Sequence, residues 1–160
     1  MKKINKTGNH LILPNTKQEV SIMKTVNVVA AIIEKDKRIL ATQRGYGDFK
    51  GGWEFPGGKI EKGETPEAAL IREIHEELCA DITVEKLLTT VEYDYEKFHL
   101  SMKCYLCHLT SDAFVLTEHL ESRWLDKSEL DDVAWLPADI EILSLIKKKL
   151  EADCSTRKEA

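Results

Sequence analysis

The spacing of apolar and polar residues changes several times along the chain, and each change predicts a new element. A β-branched apolar run, TVNVVAAIIE, predicts a buried strand, and the polar turn Lys35-Asp36-Lys37 leads into a second strand antiparallel to it. Later residues alternate between apolar and polar over two long stretches, which is typical of strands with one buried face. The predicted strands cover 25–34, 38–44, 82–95, 98–109, 114–116 and 123–125.

Helical spacing replaces this alternation between residues 66 and 78. Thr65 is a suitable helix cap, and Pro66 suits the first helical position, where no amide hydrogen is needed. Most residues that follow are strong helix formers. The predicted apolar stripe of this helix consists of Leu70, Ile71, Ile74 and Leu78.

Two more helices are predicted near the C-terminus. A serine cap favours a short helix over 128–132. Pro137-Ala138-Asp139 begins a final helix, and its apolar side is predicted to hold Ile140, Leu143, Ile146 and Leu150. Strands combined with two main helices predict an α/β fold.

The length of 160 residues indicates one domain with a sizeable core. Residues 1–22 are polar and irregular, which predicts a flexible extension, and Met23 precedes the first regular element. We therefore expect a compact domain over 23–152 and a polar tail over 153–160.

The formal net charge of −5 argues against a nucleic-acid polymer or a membrane as partner, because such binders show a basic patch. The sequence contains no apolar run long enough to cross a membrane and no convincing signal peptide, so we expect a cytoplasmic protein. Cys104 and Cys107 form a C-x-x-C, but their odd separation along a strand points them to opposite faces. Ordinary reduced thiols are therefore favoured over a redox or zinc site.

Three carboxylates cluster on one edge of the predicted helix 66–78. At about 100° per residue, Glu76 and Glu77 lie roughly 60° to one side and 40° to the other side of Glu73. Like charges at this spacing repel, and at the edge of a core a cation is needed to neutralise them. One interpretation is a solvated acidic face. The other is an oxygen-ligand site for Mg²⁺, of the kind usually shared with substrate phosphates.

The surroundings favour the second interpretation. Gly58, five residues, Glu64, seven residues and then Arg72-Glu-Ile-His-Glu-Glu77 resemble the Nudix box. The run WEFPGGK at 53–59 resembles the MutT-like branch of that family, and the resemblance covers roughly residues 25–150. It implies a Nudix-type α/β/α sandwich with a mixed sheet. One position departs from the box, because Cys79 stands where glycine is expected, and cysteine in a left-handed conformation costs about 1 kcal/mol.

The resemblance also implies an activity. Nudix enzymes hydrolyse a nucleoside diphosphate linked to another moiety, and MutT-like members convert a nucleoside triphosphate and water into the monophosphate and pyrophosphate. The expected cofactor is Mg²⁺, for which Mn²⁺ can substitute. The expected substrate is 8-oxo-dGTP or, equally, CTP or a modified dCTP. Other nucleotide derivatives such as ADP-ribose, and a non-catalytic nucleotide-binding module, are the alternatives, and either a monomer or a homodimer is expected.

Carried over by position, the expected metal ligands are Glu73, Glu76, Glu77, Glu118 and the backbone of Gly57. Glu118 lies six residues before Trp124 and is expected to be a ligand or the general base, with Glu121 as the alternative. Arg72 and Glu64 are expected to pair and to orient the ligands, and the alternative for Glu64 is contact with a metal through water. Lys59 is either a phosphate contact or an ordinary solvated lysine.

Base recognition is assigned by the same resemblance. The expected nucleotide contacts are Arg44, Phe55, Tyr95 and Asp139, and each of the aromatic residues is equally suited to core packing. Asp139 is either a reader of the base edge or a helix cap. An ionised Asp139 only accepts hydrogen bonds and would favour an exocyclic amine such as that of cytosine, whereas an oxidised guanine would require a protonated carboxyl.

Overall fold

The computed structural model describes residues 22–155, so most of the predicted extension and the end of the predicted tail lie outside the described residues. The strands are β1 (Lys24–Lys35), β2 (Arg38–Gln43), β3 (Trp53–Glu54), β4 (Gly57–Lys59), β5 (Ile82–Asp94), β6 (Phe98–Leu109) and β7 (Glu121–Leu125). The helices are α1 (Pro66–Leu78) and α2 (Pro137–Ser155), and α2 runs three residues past the predicted domain boundary. Within the described residues, neither helix is long and apolar enough to span a membrane.

The strands form one mixed sheet in the order β3-β2-β1-β6-β5. Strand β1 is parallel to β6 and antiparallel to β2 and β4, while β7 pairs with β2. The predicted β1–β2 hairpin is confirmed, and so are the two long strands β5 and β6, which pair antiparallel. Strand β4, which contains the two glycines of WEFPGGK, thus pairs with the same strand as β2.

Apolar side chains pack on both faces of this sheet. One cluster holds Ile32 and the buried residues of α2, and the other holds Ile33 and the buried residues of α1. Cys104 belongs to the first cluster and Cys107 to the second, which confirms that they point to opposite faces. Both thiols are free and buried. The predicted α/β sandwich with a mixed sheet is therefore confirmed.

Two predicted short elements are wrong. Residues 114–116 form no strand; instead the Val115 N–H donates to the Leu78 carbonyl at 2.8 Å, which satisfies the end of α1. Residues 128–132 form turns rather than a helix. There the Asp126 carboxylate accepts hydrogen bonds from the Ser128 and Glu129 amides at 2.8 and 3.2 Å. These local hydrogen bonds stabilise turns in place of a helix.

The apolar stripes of both helices differ from the prediction by one residue each. Ile71 is 45% exposed and Ala69 is buried instead, while Ile140 is 52% exposed and Ile142 is buried instead. Which residues at the edge of each stripe are buried depends on how the helix is rotated against the sheet. The periodicity of the sequence does not specify that rotation. Strands β3 and β4 were not predicted, because two or three residues carry no measurable alternation.

Candidate active site

Helix α1 begins and ends as its sequence predicts. The Thr65 hydroxyl accepts the Ala68 amide at 3.2 Å, and Pro66 is the first helical residue. At the other end Cys79 adopts the left-handed conformation (φ 48°, ψ 37°), and its N–H donates to the His75 carbonyl at 3.0 Å. Cysteine therefore keeps the backbone geometry for which glycine is the easier residue.

Arg72 joins several carboxylates on one side of α1. Its Nε donates to Glu64 at 3.0 Å, which confirms the predicted pair. Its NH1 donates to Glu73 at 2.8 Å and to Glu76 at 3.3 Å, and its NH2 donates to the Lys59 carbonyl at 3.0 Å. The Lys59 side chain itself is exposed. Arg72 thus aligns two of the predicted ligands and ties α1 to β4.

Glu77 is the buried member of the cluster, with 7% of its surface exposed. Its pKa is raised to about 8, mainly by burial and also by the charges of Glu73, Glu54 and Glu118, while the Gly57 N–H, 3.3 Å from its carboxylate, acts to lower it. Burial also raises the pKa of Glu73, against the effect of Arg72. The site therefore holds more negative charge than its own hydrogen bonds neutralise.

Gly57 and Gly58 allow α1 and β1 to approach β4. A Cβ on Gly58 would lie 2.3 Å from the Glu73 carboxyl carbon, and one on Gly57 would lie 2.0 Å from the Val29 carbonyl oxygen. Both glycines belong to strand β4. Close packing, rather than a turn, is what requires glycine here.

The donor set suits a hard divalent cation, because it consists of carboxylates and backbone oxygen atoms. Within residues 22–155 the side chains themselves form no ready group of three or more ligands. Glu73 and Glu76 contact the Arg72 guanidinium, while Glu77 is buried at a raised pKa. An uncompensated buried carboxylate beside further carboxylates is the arrangement that a bound cation would stabilise.

Glu118 lies in the loop between β6 and β7, next to this cluster. Its side chain is exposed, and its charge contributes to the raised pKa of both Glu73 and Glu77. The alternative, Glu121, lies in β7 opposite Gln43 and is also exposed. Glu118 is therefore the loop carboxylate for which the structure shows an electrostatic effect on the α1 ligands.

A cleft is bordered by residues of β1, β4, β6 and the start of α2. It is lined by residues that include Arg44, Glu54, Phe55, Gly57, Gly58, Tyr95 and Asp139. Four of the predicted nucleotide contacts thus line one cleft, together with the two glycines that touch the carboxylates of Glu77 and Glu73.

Asp139 lines this cleft and is only 5% exposed. It is the third residue of α2 rather than its cap, and its Oδ1 accepts the Phe55 amide at 3.0 Å. Burial raises its pKa to about 7, with the Phe55 N–H lowering it, Glu54 raising it and Arg44 lowering it. The pKa of Asp139 is therefore shifted from the acidic range towards neutral pH.

The two predicted aromatic contacts take part in packing as well as lining the cleft. Phe55 is buried against Trp135, with ring centroids 4.5 Å apart. Tyr95 stacks on Phe98 at 5.0 Å, and its hydroxyl accepts the Ala138 amide at 3.3 Å. Phe49, on the glycine-rich β2–β3 loop, packs on Tyr95 at 5.3 Å.

Glu54 and His119 are functional candidates that the sequence reasoning missed. Glu54 forms a two-point ion pair with Arg44, with Nε–Oε1 and NH2–Oε2 distances of 3.2 and 3.1 Å. A charged residue between the buried Trp53 and Phe55 was a signal available in the sequence. His119, with a side chain 4% exposed, places Nε2 3.4 Å from Glu54 Oε1.

Comparison with known proteins shows the family to which the chain belongs. The NUDIX domain matches residues 23–153. An 8-oxo-dGTP diphosphatase of Proteus vulgaris is 41% identical over 85 residues, 52% of this chain and 76% of that protein. A CTP pyrophosphohydrolase of Escherichia coli K12 is 34% identical over 122 residues, 76% of this chain and 90% of that protein.

Solved structures agree with the fold. The solution structure of a MutT protein, a Nudix hydrolase of methicillin-resistant Staphylococcus aureus 252, superimposes with a TM-score of 0.64 at 38% identity, covering 80% of this chain and 99% of that one. The family match over residues 23–153 includes the box and strand β4. The chain belongs to the Nudix family and is a MutT-like hydrolase.

Proposed function

We propose that the protein hydrolyses nucleoside triphosphates to the monophosphate and pyrophosphate. The observation that carries this proposal is the continuity of the cleft. It passes from Gly57 and Gly58, which touch the carboxylates of Glu77 and Glu73, to the buried carboxyl of Asp139. A nucleotide in this cleft would have its phosphates at the carboxylates and its base at Asp139.

Glu73, Glu76, Glu77, Glu118 and the backbone of Gly57 would hold Mg²⁺, which Mn²⁺ can replace. When bound, a divalent cation neutralises the triphosphate and lowers the pKa of coordinated water. Arg72 and Glu64 position the carboxylates of α1 for this purpose, because the guanidinium contacts both Glu73 and Glu76. Lys59, exposed at the end of β4, contacts a phosphate oxygen.

Asp139 sets the choice of base. When ionised it accepts hydrogen bonds and selects an exocyclic amine, as on cytosine; when protonated it also donates, as an oxidised guanine requires. Its pKa of about 7 makes both states available. We therefore include 8-oxo-dGTP and cytosine triphosphates among the substrates and expect the ratio of their rates to shift towards cytosine as the pH rises from 6 to 8. We also propose that the enzyme acts in the cytoplasm, where free nucleotides are found. It acts as a monomer or a homodimer.

The test is hydrolysis of 8-oxo-dGTP, dGTP, CTP, dCTP, 5-methyl-dCTP and ADP-ribose with Mg²⁺ at pH 6, 7 and 8, with monophosphate and pyrophosphate quantified separately. Equal amounts of the two products from a triphosphate support the proposal. Hydrolysis of ADP-ribose alone would assign the protein to another Nudix activity. Binding of nucleotide without turnover would make it a non-catalytic module.

The assignment of Asp139 has its own control. Asp139→Asn keeps an oxygen that can accept the Phe55 amide and adds a permanent donor. The substrate ratio of this variant should be independent of pH between 6 and 8. A ratio that still changes with pH in the variant would contradict the role of Asp139.

A further inference from the structure

The loop that carries Glu118 is attached to the rest of the site on both sides. The Thr117 N–H donates to the Glu77 carbonyl at 3.0 Å, and its hydroxyl donates to the Glu76 carbonyl at 2.8 Å. The Leu120 N–H donates to the Gln43 carbonyl on β2 at 2.9 Å. Glu118 thus lies between an anchor on α1 and an anchor on β2.

Within the segment 117–120, His119 is the residue whose side chain is buried. Thr117, Glu118 and Leu120 are exposed, whereas the His119 side chain is 4% exposed. Its Nε2 lies 3.4 Å from Glu54 Oε1, and its buried Nδ1 has no hydrogen-bond partner among the described residues. Burying an imidazole with one nitrogen unpaired is costly, so the contact of the other nitrogen is what holds the ring in place.

Glu54 is a firm support for this contact, because Arg44 already holds both of its oxygens at 3.2 and 3.1 Å. Removing the imidazole would therefore displace the loop more than it displaces Glu54. Directly beneath the loop, a Cβ on Gly45 would lie 2.2 Å from the Glu118 carbonyl oxygen. The backbone of Glu118 rests on this glycine.

We propose that His119 is a positioning residue that acts through Glu118: its contact with Glu54 holds the loop on Gly45 and directs the Glu118 carboxylate towards Glu73 and Glu77. This inference rests on the proposed role of Glu118 in binding the divalent cation. It adds a residue outside the Nudix box to the machinery, and it explains why the histidine side chain is buried within the otherwise exposed segment 117–120.

The test compares two substitutions that keep different nitrogen positions. Glutamine places its amide nitrogen where Nε2 lies, and asparagine places its amide where the unpaired Nδ1 lies. The affinity for Mn²⁺ is measured from the electron paramagnetic resonance signal of the free ion. The same variants are assayed for kcat and KM. We expect His119→Asn to weaken Mn²⁺ binding and lower kcat by about tenfold, as loss of a group that orients a ligand does, with KM little changed. His119→Gln should remain within about twofold of the natural protein. His108→Asn, in β6, is the matched control.

A double-mutant cycle identifies the residue through which His119 acts. In a Glu118→Gln background, His119→Asn should cause no further loss of Mn²⁺ affinity. An undiminished loss there would overturn the proposal, and so would equal damage by the asparagine and glutamine variants. Mn²⁺ affinity of His119→Asn equal to that of the natural protein would also overturn it.

A second variant keeps the test decisive if His119→Asn fails to fold. Gly45→Ala leaves His119 in place but pushes on the Glu118 backbone, so it should weaken Mn²⁺ binding, again without further loss in the Glu118→Gln background. Unchanged Mn²⁺ binding by folded Gly45→Ala would overturn the proposal. If the natural protein hydrolyses no nucleotide, the proposed function fails, while the Mn²⁺ measurements still judge the role of His119.

Discussion

Asp139 and Glu77 are two carboxyl groups with raised pKa values, and burial is the main cause for both. Their neighbours differ. Arg44 and the Phe55 amide restrain the pKa of Asp139 to about 7, whereas the charges of Glu73 and Glu54 add to the effect of burial on Glu77 and bring its pKa to about 8. Asp139 is thereby suited to a hydrogen-bonding role in either protonation state, and Glu77 is suited to binding a cation.

The raised pKa of Asp139 predicts how stability depends on pH. The folded state keeps the proton up to about pH 7, whereas the unfolded carboxyl loses it near its ordinary value of 3.8. The free energy of unfolding therefore falls, through this group, as the pH rises from about 4 to 7. Asp139→Asn removes this loss, so the Tm of the variant minus that of the natural protein should increase from pH 5 to pH 7 and then level off.

Asp126→Asn is a control of opposite sign for this measurement. The hydrogen bond from the Ser128 hydroxyl is the largest cause that lowers the pKa of Asp126, so the contribution of Asp126 to stability is present above its ordinary pKa and lost in acid. The Tm difference of this variant should become more negative as the pH rises from about 3 to 5. A flat Tm difference for Asp139→Asn would contradict the assigned burial effect.

Cys79 gives a second prediction for a single residue. Its left-handed backbone, at φ 48° and ψ 37°, is unfavourable for a residue with a side chain. Cys79→Gly should raise the free energy of unfolding by about 1 kcal/mol, measured by urea denaturation. Cys79→Ala tests the cause, because alanine keeps the Cβ and should bring no such gain. Equal stabilities of the glycine and alanine variants would show that backbone conformation is not the reason.

At the level of elements, α1 and the loop before β7 form one unit. The last carbonyls of α1, from Glu76, Glu77 and Leu78, accept hydrogen bonds from Thr117 and Val115. These carbonyls have no partner within the helix itself. The loop therefore ends the helix and brings Glu118 to its carboxylates through the same bonds.

Glu77→Gln tests the carboxylate edge of α1. Without metal at pH 8 the variant should have a higher Tm than the natural protein, because it removes a buried charge whose pKa is raised to about 8. Turnover with Mg²⁺ should fall at least about a hundredfold, since even groups that only orient metal ligands cost 10- to 100-fold. Calorimetry with and without Mg²⁺ and nucleotide hydrolysis are the measurements.

The effect of Mg²⁺ on Tm distinguishes loss of a metal ligand from loss of a buried charge. A cation that binds the folded state raises its stability, so Mg²⁺ should raise the Tm of the natural protein more than that of Glu77→Gln. Glu67→Gln, an exposed acidic residue in the first turn of α1, is the control for a change of charge alone. Near-normal turnover of folded Glu77→Gln would exclude Glu77 as a ligand.

For the whole molecule, the sheet separates two apolar clusters, each covered by one helix. Ile74 of α1 and Ile142 of α2 are fully buried in different clusters. Truncating either to alanine should cost about 2–5 kcal/mol. Because they share no cluster, the double variant should lose the sum of the two costs to within about 0.5 kcal/mol in urea denaturation. A coupling energy above 1 kcal/mol would mean that the sheet transmits repacking from one face to the other.

The sequence by itself determined the long elements and the carboxylates of the site. Strands β1, β2, β5 and β6 carry strong apolar patterns, and the start of α1 is specified by Thr65 and Pro66. The spacing from Gly58 to Glu77 identified the family, and the Glu64–Arg72 pair follows from it. These features are local, so neighbouring residues suffice to predict them.

Only the tertiary structure decided the features that depend on residues far apart in the chain. Strands β3 and β4 exist because β2 and β1 pair with them, and residues 114–116 bond to α1 instead of forming a strand. Asp139 has a raised pKa because the folded chain buries it, next to Phe55, which is 84 positions away in the sequence. His119 meets Glu54 across 65 positions in the sequence. Burial and long-range contacts arise only when the chain has folded, so no local pattern records them.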